Sequence, residues 1–314
     1  MNLAYHRLFR ARTTYRWWKP VVALIVGAGF YYALLLAYQE VFLLLIGGFA
    51  GTAARDAFLA AWQHNQQDAS RPLVLLFTLG SISMMLPAVV IAVRLLGLGS
   101  FGTVSSVVGR LRWRWLARCI LPGLVFIGLS VGLSLAVPAS WQGPQTSSGT
   151  ATPLPALIVS IVLILVFVPL QATGEEFAFR GFGTQTIGSW IRPPVFAIVL
   201  PTAAFALAHD YNVWGRLDVA ALGVSFAYLT WRTGGLEAGI VGHVLNNLLV
   251  FLLAAPTVAT AQSDGTPAGA AITVVTSAVY VLLVTWMARR HEPERVTPVD
   301  GPAFPSVVPR KLLG

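Results

Sequence analysis

Charge is what this 314-residue sequence has least of: Asp, Glu, Lys and Arg make up 11% of it, against 56% hydrophobic residues. A soluble domain of this size covers its surface with roughly 25% charged residues. The composition therefore excludes a soluble enzyme and leaves most of the outer surface to face lipid. Cysteine is almost absent as well. The single Cys119 excludes an intramolecular disulfide framework and reads as a buried small apolar residue. The chain also lacks a His-Glu-x-x-His zinc motif and any internal repeat strong enough to propose an inverted-repeat transporter. No small-residue cleavage site follows the apolar N-terminal stretch, which is expected to be a retained anchor and not a removed signal peptide.

What the sequence has in quantity is apolar length. A bilayer core takes roughly 20 apolar residues per helix, and segments at about 20–48, 72–97, 115–137, 154–174, 194–209, 217–231, 236–255 and 270–288 approach or meet that length. They are rich in Leu and Val without strict alternation, which favours helices over a transmembrane barrel. The expected fold class is all-α: a polytopic integral membrane protein with about eight transmembrane helices. The fifth and sixth segments are short for a span.

The net charge of +9 invites a nucleic-acid reading, but position argues against it. Arg7, Arg10, Arg12, Arg16 and Lys19 precede the first span, and Arg94, Arg110, Arg112, Arg114 and Arg118 flank the second connection. Arg180, Arg192 and Arg232 sit in later even-numbered connections; Arg289, Arg290, Arg295, Arg310 and Lys311 follow the last span. Only Arg55, Arg71 and Arg216 fall on the other side. The positive-inside rule turns this asymmetry into a cell-membrane protein with both termini cytoplasmic. Its expected partners are membrane lipid and a peptide or protein substrate, with no nucleic acid.

The organisation reads as a basic N-terminal segment (1–19), N-terminal transmembrane helices and loops (20–153), a catalytic transmembrane core (154–288) and a cytoplasmic tail (289–314) rich in Pro and Val. Residues 98–113 read as an interfacial segment. Trp17, Trp18, Trp113, Trp115 and Trp231 read as interfacial anchors.

The two halves differ in kind. Up to residue 170 the spans carry almost no ionisable group; beyond it Glu175, Glu176, Arg180, His209, Asp210, Asp218, Glu237 and His243 lie in or beside spans. A charge near a bilayer centre costs about 2.5–3.5 kcal/mol on insertion scales, so such groups persist when paired, hydrated or used. Asp218 and Glu237, at span ends, read as helix caps or water-facing groups.

Three short motifs carry the chemistry. Gly-Glu-Glu-Phe-Ala-Phe-Arg-Gly (174–181) ends the fourth span, with Glu176 and Arg180 four apart on one helical face. Glu175, rotated away, has a different environment, and such unlike carboxylates recur in acid–base work. Phe205-Ala-Leu-Ala-His209 lies late in the fifth span. His243-Val-Leu-Asn-Asn247 lies early in the seventh, with His243 and Asn247 on one face. Singly, each has a bland reading as a salt bridge, an interfacial His or helix–helix glue. Together they offer a general base, a partner to orient water and donors for a developing oxyanion.

At these residues the sequence resembles the CAAX prenyl endopeptidase and bacteriocin-processing (CPBP, abortive-infection) family. Its pattern is Glu-Glu-x-x-x-Arg, then Phe-x-x-x-His, then His-x-x-x-Asn. Glu175, Glu176 and Arg180, then Phe205 and His209, then His243 and Asn247 follow it in order, over roughly residues 155–255. The resemblance implies an intramembrane endopeptidase in which Glu175 and His209 activate water, with no covalent intermediate. His243 and Asn247 would stabilise the oxyanion, and Glu176 with Arg180 would order the site. It implies a membrane-associated substrate, a lipidated (prenylated) or leader-type peptide or protein. Glu and His are chemically plausible zinc ligands, which leaves a metallo-endopeptidase open beside the favoured metal-free, glutamate-type reading with no cofactor required. A proton-coupled transporter and a non-catalytic scaffold or immunity protein are the alternatives. One tension stands: naive topology puts Glu175 and His243 near the cytoplasmic face and His209 at the outer end. The mechanism requires all three to converge within about one water's reach.

Overall fold

A Leu/Val-rich segment in lipid has no water to satisfy its backbone, so it closes its hydrogen bonds internally as a helix. The computed structural model, which describes residues 3–141, 143, 147–259 and 264–297, is built of such helices. In order they are α1 (Lys19–Ala50), α2 (Thr52–His64), α3 (Pro72–Ser83), α4 (Met85–Leu95), α5 (Phe101–Ser105), α6 (Trp113–Ala136), α7 (Leu154–Glu175), α8 (Thr184–Trp190), α9 (Pro194–Leu207), α10 (Val213–Thr233), α11 (Glu237–Ala254) and α12 (Pro267–His291). Among the described residues strands are confined to two short antiparallel pairs, β1 (Leu3–Ala4) with β4 (Val296–Thr297) and β2 (Ser147–Ala151) with β3 (Thr257–Ala259). The protein is all-α and polytopic. Six stretches of the described residues are long and apolar enough to cross a membrane: Lys19–Ala50, Pro72–Leu95, Trp113–Ala136, Leu154–Trp190, Glu237–Ala254 and Pro267–His291; Pro194–Leu207 is a shorter apolar helix.

The fourth stretch departs from its expected extent. Instead of ending at residue 174, the helix runs on through a π-helical segment, Glu176–Gly183, into α8. Glu175 therefore sits mid-helix, with about 22 Å of helix beyond it at 1.5 Å per residue. Arg180, read as a flanking charge, is 1% exposed and carries no orientation signal.

The two ends of the molecule are distinct. β1 and β4 bring the chain's N- and C-terminal parts together, and the starts of α6 and α11 join them through Arg112, which bonds both Glu237 and the Glu294 carbonyl. β2, β3 and the α9–α10 turn lie at the other end, where Asn212 reaches Asp264 and Gly265. The basic N-terminal segment is not a free tail. Its 3-10 turn, Tyr5–Ala11, buries Tyr5, Leu8 and Phe9 with Val104, Phe177 and Leu236. His6 Nε2 donates to the Arg192 carbonyl and Arg7 to that of Gly188. Burial pushes the His6 imidazole below its ordinary value, against the opposing effect of that hydrogen bond.

Several expectations are corrected. Residues 98–113 are not merely interfacial: Val104, Ser105, Ser106 and Val107 are fully buried, and Phe101 stacks on Phe177 at 4.7 Å. Trp115 is buried while Trp17 and Trp113 stay exposed. Glu237 neither caps nor faces water, being fully buried and held by Arg112. Cys119 is buried as expected. Of the tail, residues up to Thr297 are described and residues 296–297 pair with β1; the remainder, with Arg310 and Lys311, lies outside the described residues.

Candidate active site

α7 and α11 run antiparallel across the middle of the bundle and present matching polar rungs. Glu175 faces His243, and one turn outward Gln171 faces Asn247: Glu175 Oε2 is 3.3 Å from His243 Nε2, and Asn247 Nδ2 donates to Gln171 Oε1 at 3.1 Å. Both pairs follow from i, i+4 spacing, 171 to 175 on one helix and 243 to 247 on the other. Asn246 donates to Asn247 Oδ1 at 3.2 Å and so fixes the orientation of that amide.

Glu176, first residue of the π-helical segment, meets the other side of the same imidazole. Its Oε1 lies 2.9 Å from His243 Nδ1 and 3.2 Å from Arg180 Nη1. The expected Glu176–Arg180 pair is thus present. What sequence reasoning missed is that His243 bridges both glutamates. π turns are frequent at functional sites, and here one places two adjacent carboxylates on opposite nitrogens of one ring. Space for this comes from helix-packing glycines. A Cβ on Gly239 would lie 2.7 Å from Glu176 Oε2, and one on Gly223 would lie 2.9 Å from Arg180 Nη2.

All four ionisable groups are buried: Glu175, Glu176, Arg180 and His243 are each at most 6% exposed. Isolated charges there would be costly, but the two carboxylates have the Arg180 guanidinium and the two nitrogens of the His243 imidazole beside them. Aromatic rings complete the walls: Phe226 stacks on His243 at 5.8 Å, and the Arg180 guanidinium lies 4.0 Å from the Phe205 ring centre.

His209 stands apart from this cluster. It follows the end of α9, its Nδ1 donates to the Phe205 carbonyl at 2.8 Å, and among the described residues it bonds to neither glutamate. The Phe205 ring lies between the two imidazoles, 4.7 Å from that of His209 and 6.0 Å from that of His243. With Nδ1 committed as a donor, Nε2 carries the free lone pair. Beyond His209, Tyr211 is bonded to Gln67. Gln171 and the two glycines were missed by sequence reasoning; Gln171 was detectable as a polar residue four before Glu175 in an otherwise apolar span.

The donors do not fit a metal ion. Both nitrogens of His243 face carboxylates, Glu176 is matched by Arg180, and among the described residues no group of three or more His, Cys, Asp or Glu side chains is arranged to hold one.

Residues 155–249 match the family described as Rce1-like, type II CAAX prenyl endopeptidase. An uncharacterized protein of Bacillus subtilis (strain 168), YyaK, is 26% identical over 190 residues, which is 58% of this chain and 62% of that protein. The alignment thus spans about three-fifths of that relative's length. No solved structure matches. The matched region contains every motif residue from Glu175 to Asn247.

Proposed function

We propose, from the premise that residues 155–249 are an Rce1-like core, that the chain is an intramembrane endopeptidase whose general base is Glu175. The observation that carries this reading is His243 lying between Glu175 and Glu176, all three buried in apolar helices. Glu175 takes a proton from a water as that water's oxygen attacks the peptide carbonyl carbon. His209 orients the same water through Nε2, a role that requires the Phe205 ring, packed against both imidazoles, to turn aside as substrate enters. Taking the water's proton releases Glu175 from His243 Nε2–H, which with Asn247 Nδ2–H then donates to the carbonyl oxygen as it gains negative charge. Glu176 and Arg180 hold His243 in place. The proton on Glu175 then passes to the leaving nitrogen as the C–N bond breaks, which restores the carboxylate. No acyl-enzyme forms, and no step needs a metal.

The substrate is a membrane-associated peptide of prenylated or leader type, bound in a cell-membrane enzyme with both termini cytoplasmic. The deciding experiment exposes purified full-length protein to a library of membrane-anchored peptides. Glu175→Gln is expected to lower cleavage about 10²–10⁴-fold, the usual contribution of general acid–base catalysis. Chelator is expected to leave wild-type cleavage unchanged. A Glu175→Gln protein that cleaves as well as wild type rules this mechanism out.

A further inference from the structure

At the end of the molecule where Leu3–Ala4 pairs with Val296–Thr297, a cavity of about 500 Å³ opens between the start of α6 and the end of α12. Its lining includes Arg110, Arg114 and Arg118 on one side and His291 to Glu294 on the other. Arg112, from the same stretch, is fully engaged: it holds Glu237 with two nitrogens and the Thr233 and Glu294 carbonyls with the third. Arg110, Arg114 and Arg118, by contrast, have no ion pair among the described residues. Two carboxylates, Glu292 and Glu294, also line the cavity, and Glu294 lies 3.8 Å from Arg112. Three free guanidinium groups therefore outnumber the carboxylates.

Trp115 closes the inner wall of the cavity, only 4% exposed and packed in the cluster of Cys119, Leu222 and Tyr280. Glu292 has φ 42°, a left-handed backbone uncommon for a residue with a side chain. That turn ends α12 and directs Pro293 and Glu294 along the cavity wall.

Depth fixes the ligand's chemistry. α6 is a membrane-crossing helix that starts at Trp113, and that indole is exposed as interfacial tryptophans are. The cavity thus opens where phospholipid phosphates lie. We propose that it binds the headgroup of an anionic phospholipid, with Arg110, Arg114 and Arg118 facing the phosphate. Arginine forks suit phosphate oxygens, and basic pockets between membrane helices bind such headgroups. Because Arg112 ties this cavity to Glu237, the first residue of α11, occupancy steadies the helix that carries His243 and Asn247.

Native mass spectrometry of the delipidated full chain, titrated with phosphatidylglycerol or phosphatidylcholine, tests this together with thermal unfolding. Phosphatidylglycerol is expected to stay bound and raise the unfolding temperature, phosphatidylcholine to do neither, and inorganic phosphate alone to have no effect. Replacing Arg110, Arg114 and Arg118 together by Gln should weaken phosphatidylglycerol binding at least about tenfold, given the contribution of each basic residue near an anionic surface. Arg114→Gln alone should weaken it a few-fold; this variant decides the matter if the triple one does not fold. Equal retention of the two lipids, or unchanged affinity in the variants, overturns the proposal. So does stabilisation by inorganic phosphate, or by an acidic peptide in place of lipid, since either assigns the cavity to a soluble ligand.

Discussion

The chain buries two arginine–glutamate pairs, one at the end of the bundle and one at its centre, and they are made differently. Arg112 grips Glu237 through Nε and Nη2 at 2.9 and 2.7 Å, and its Nη1 bonds two backbone carbonyls. Arg180 touches Glu176 once, at 3.2 Å, and otherwise has the face of Phe205. None of its nitrogens makes a well-formed hydrogen bond among the described residues, and Glu176 Oε2 is equally unsatisfied. A forked pair with every donor used is a clamp. A buried pair with unused donors is unusual and calls for an explanation beyond stability. Burial and opposite charge do not by themselves mark a functional pair; hydrogen-bond satisfaction separates the two.

The contrast is open to attack in order of expected effect. Arg112→Ala leaves Glu237 charged and alone in the interior, which should cost about 3–5 kcal/mol of stability. Chemical denaturation in lipid-matched micelles would measure that loss, while cleavage per folded molecule should hold. Arg180→Lys keeps the charge but loses the planar stack on Phe205. It should lower cleavage roughly ten- to a hundredfold, with an unfolding midpoint close to wild type. If the two variants exchange these phenotypes, the distinction between clamp and working pair collapses. Gly239→Ala removes no chemical group but drives a methyl to 2.7 Å from Glu176 Oε2. A loss of about tenfold in kcat, at unchanged KM, is expected from a site displaced by a fraction of an ångström.

The smallest effect belongs to the end that holds Arg112. His6 has a folded-state pKa below its unfolded value near 6.5, because burial disfavours the imidazolium. The unfolded chain therefore binds the proton more readily, so stability is full above about pH 6.5 and falls as the pH drops through that value. A His6→Asn protein should lose this pH dependence, as seen by unfolding at pH 7.5 and 5.5. An identical acid response in both proteins would show that His6 does not contribute.

Much of this was legible in the sequence. Apart from the fourth, which runs on to Trp190, the apolar segments became helices within a few residues of their expected limits, because a long apolar run in lipid must close its backbone hydrogen bonds as a helix. The Glu176–Arg180 pair and the shared face of His243 and Asn247 followed from helical spacing, while the approach of Glu175 to His243 was expected only through the resemblance. Other features were invisible for physical reasons. Thr184, Gln185, Thr186 and Ser189 lie beyond the expected end of the fourth span, yet all are buried, and Thr184, Gln185 and Ser189 bond to backbone carbonyls that hydropathy does not register. Arg112 counted as an orientation charge because no local rule pairs it with Glu237, 125 positions away. Gln171 carried a signal, a lone amide in an apolar run, that was passed over. The π-helical segment has no composition of its own.

The pairing of Leu3–Ala4 with Val296–Thr297 also imposes an order in time. The N-terminal turn seats against α8 and its strand against the last described residues, so an early segment is completed late. At about 5–20 residues per second, roughly 15–60 seconds separate the emergence of Leu3 from that of its partner. Tyr5, Leu8 and Phe9, fully buried at the end, wait for less of the chain, since the last of their core partners are Leu236 and Ile240. A growing chain must hold these three side chains in the membrane interface or on a chaperone until then, and the strand pair closes over them only after residue 296 has followed.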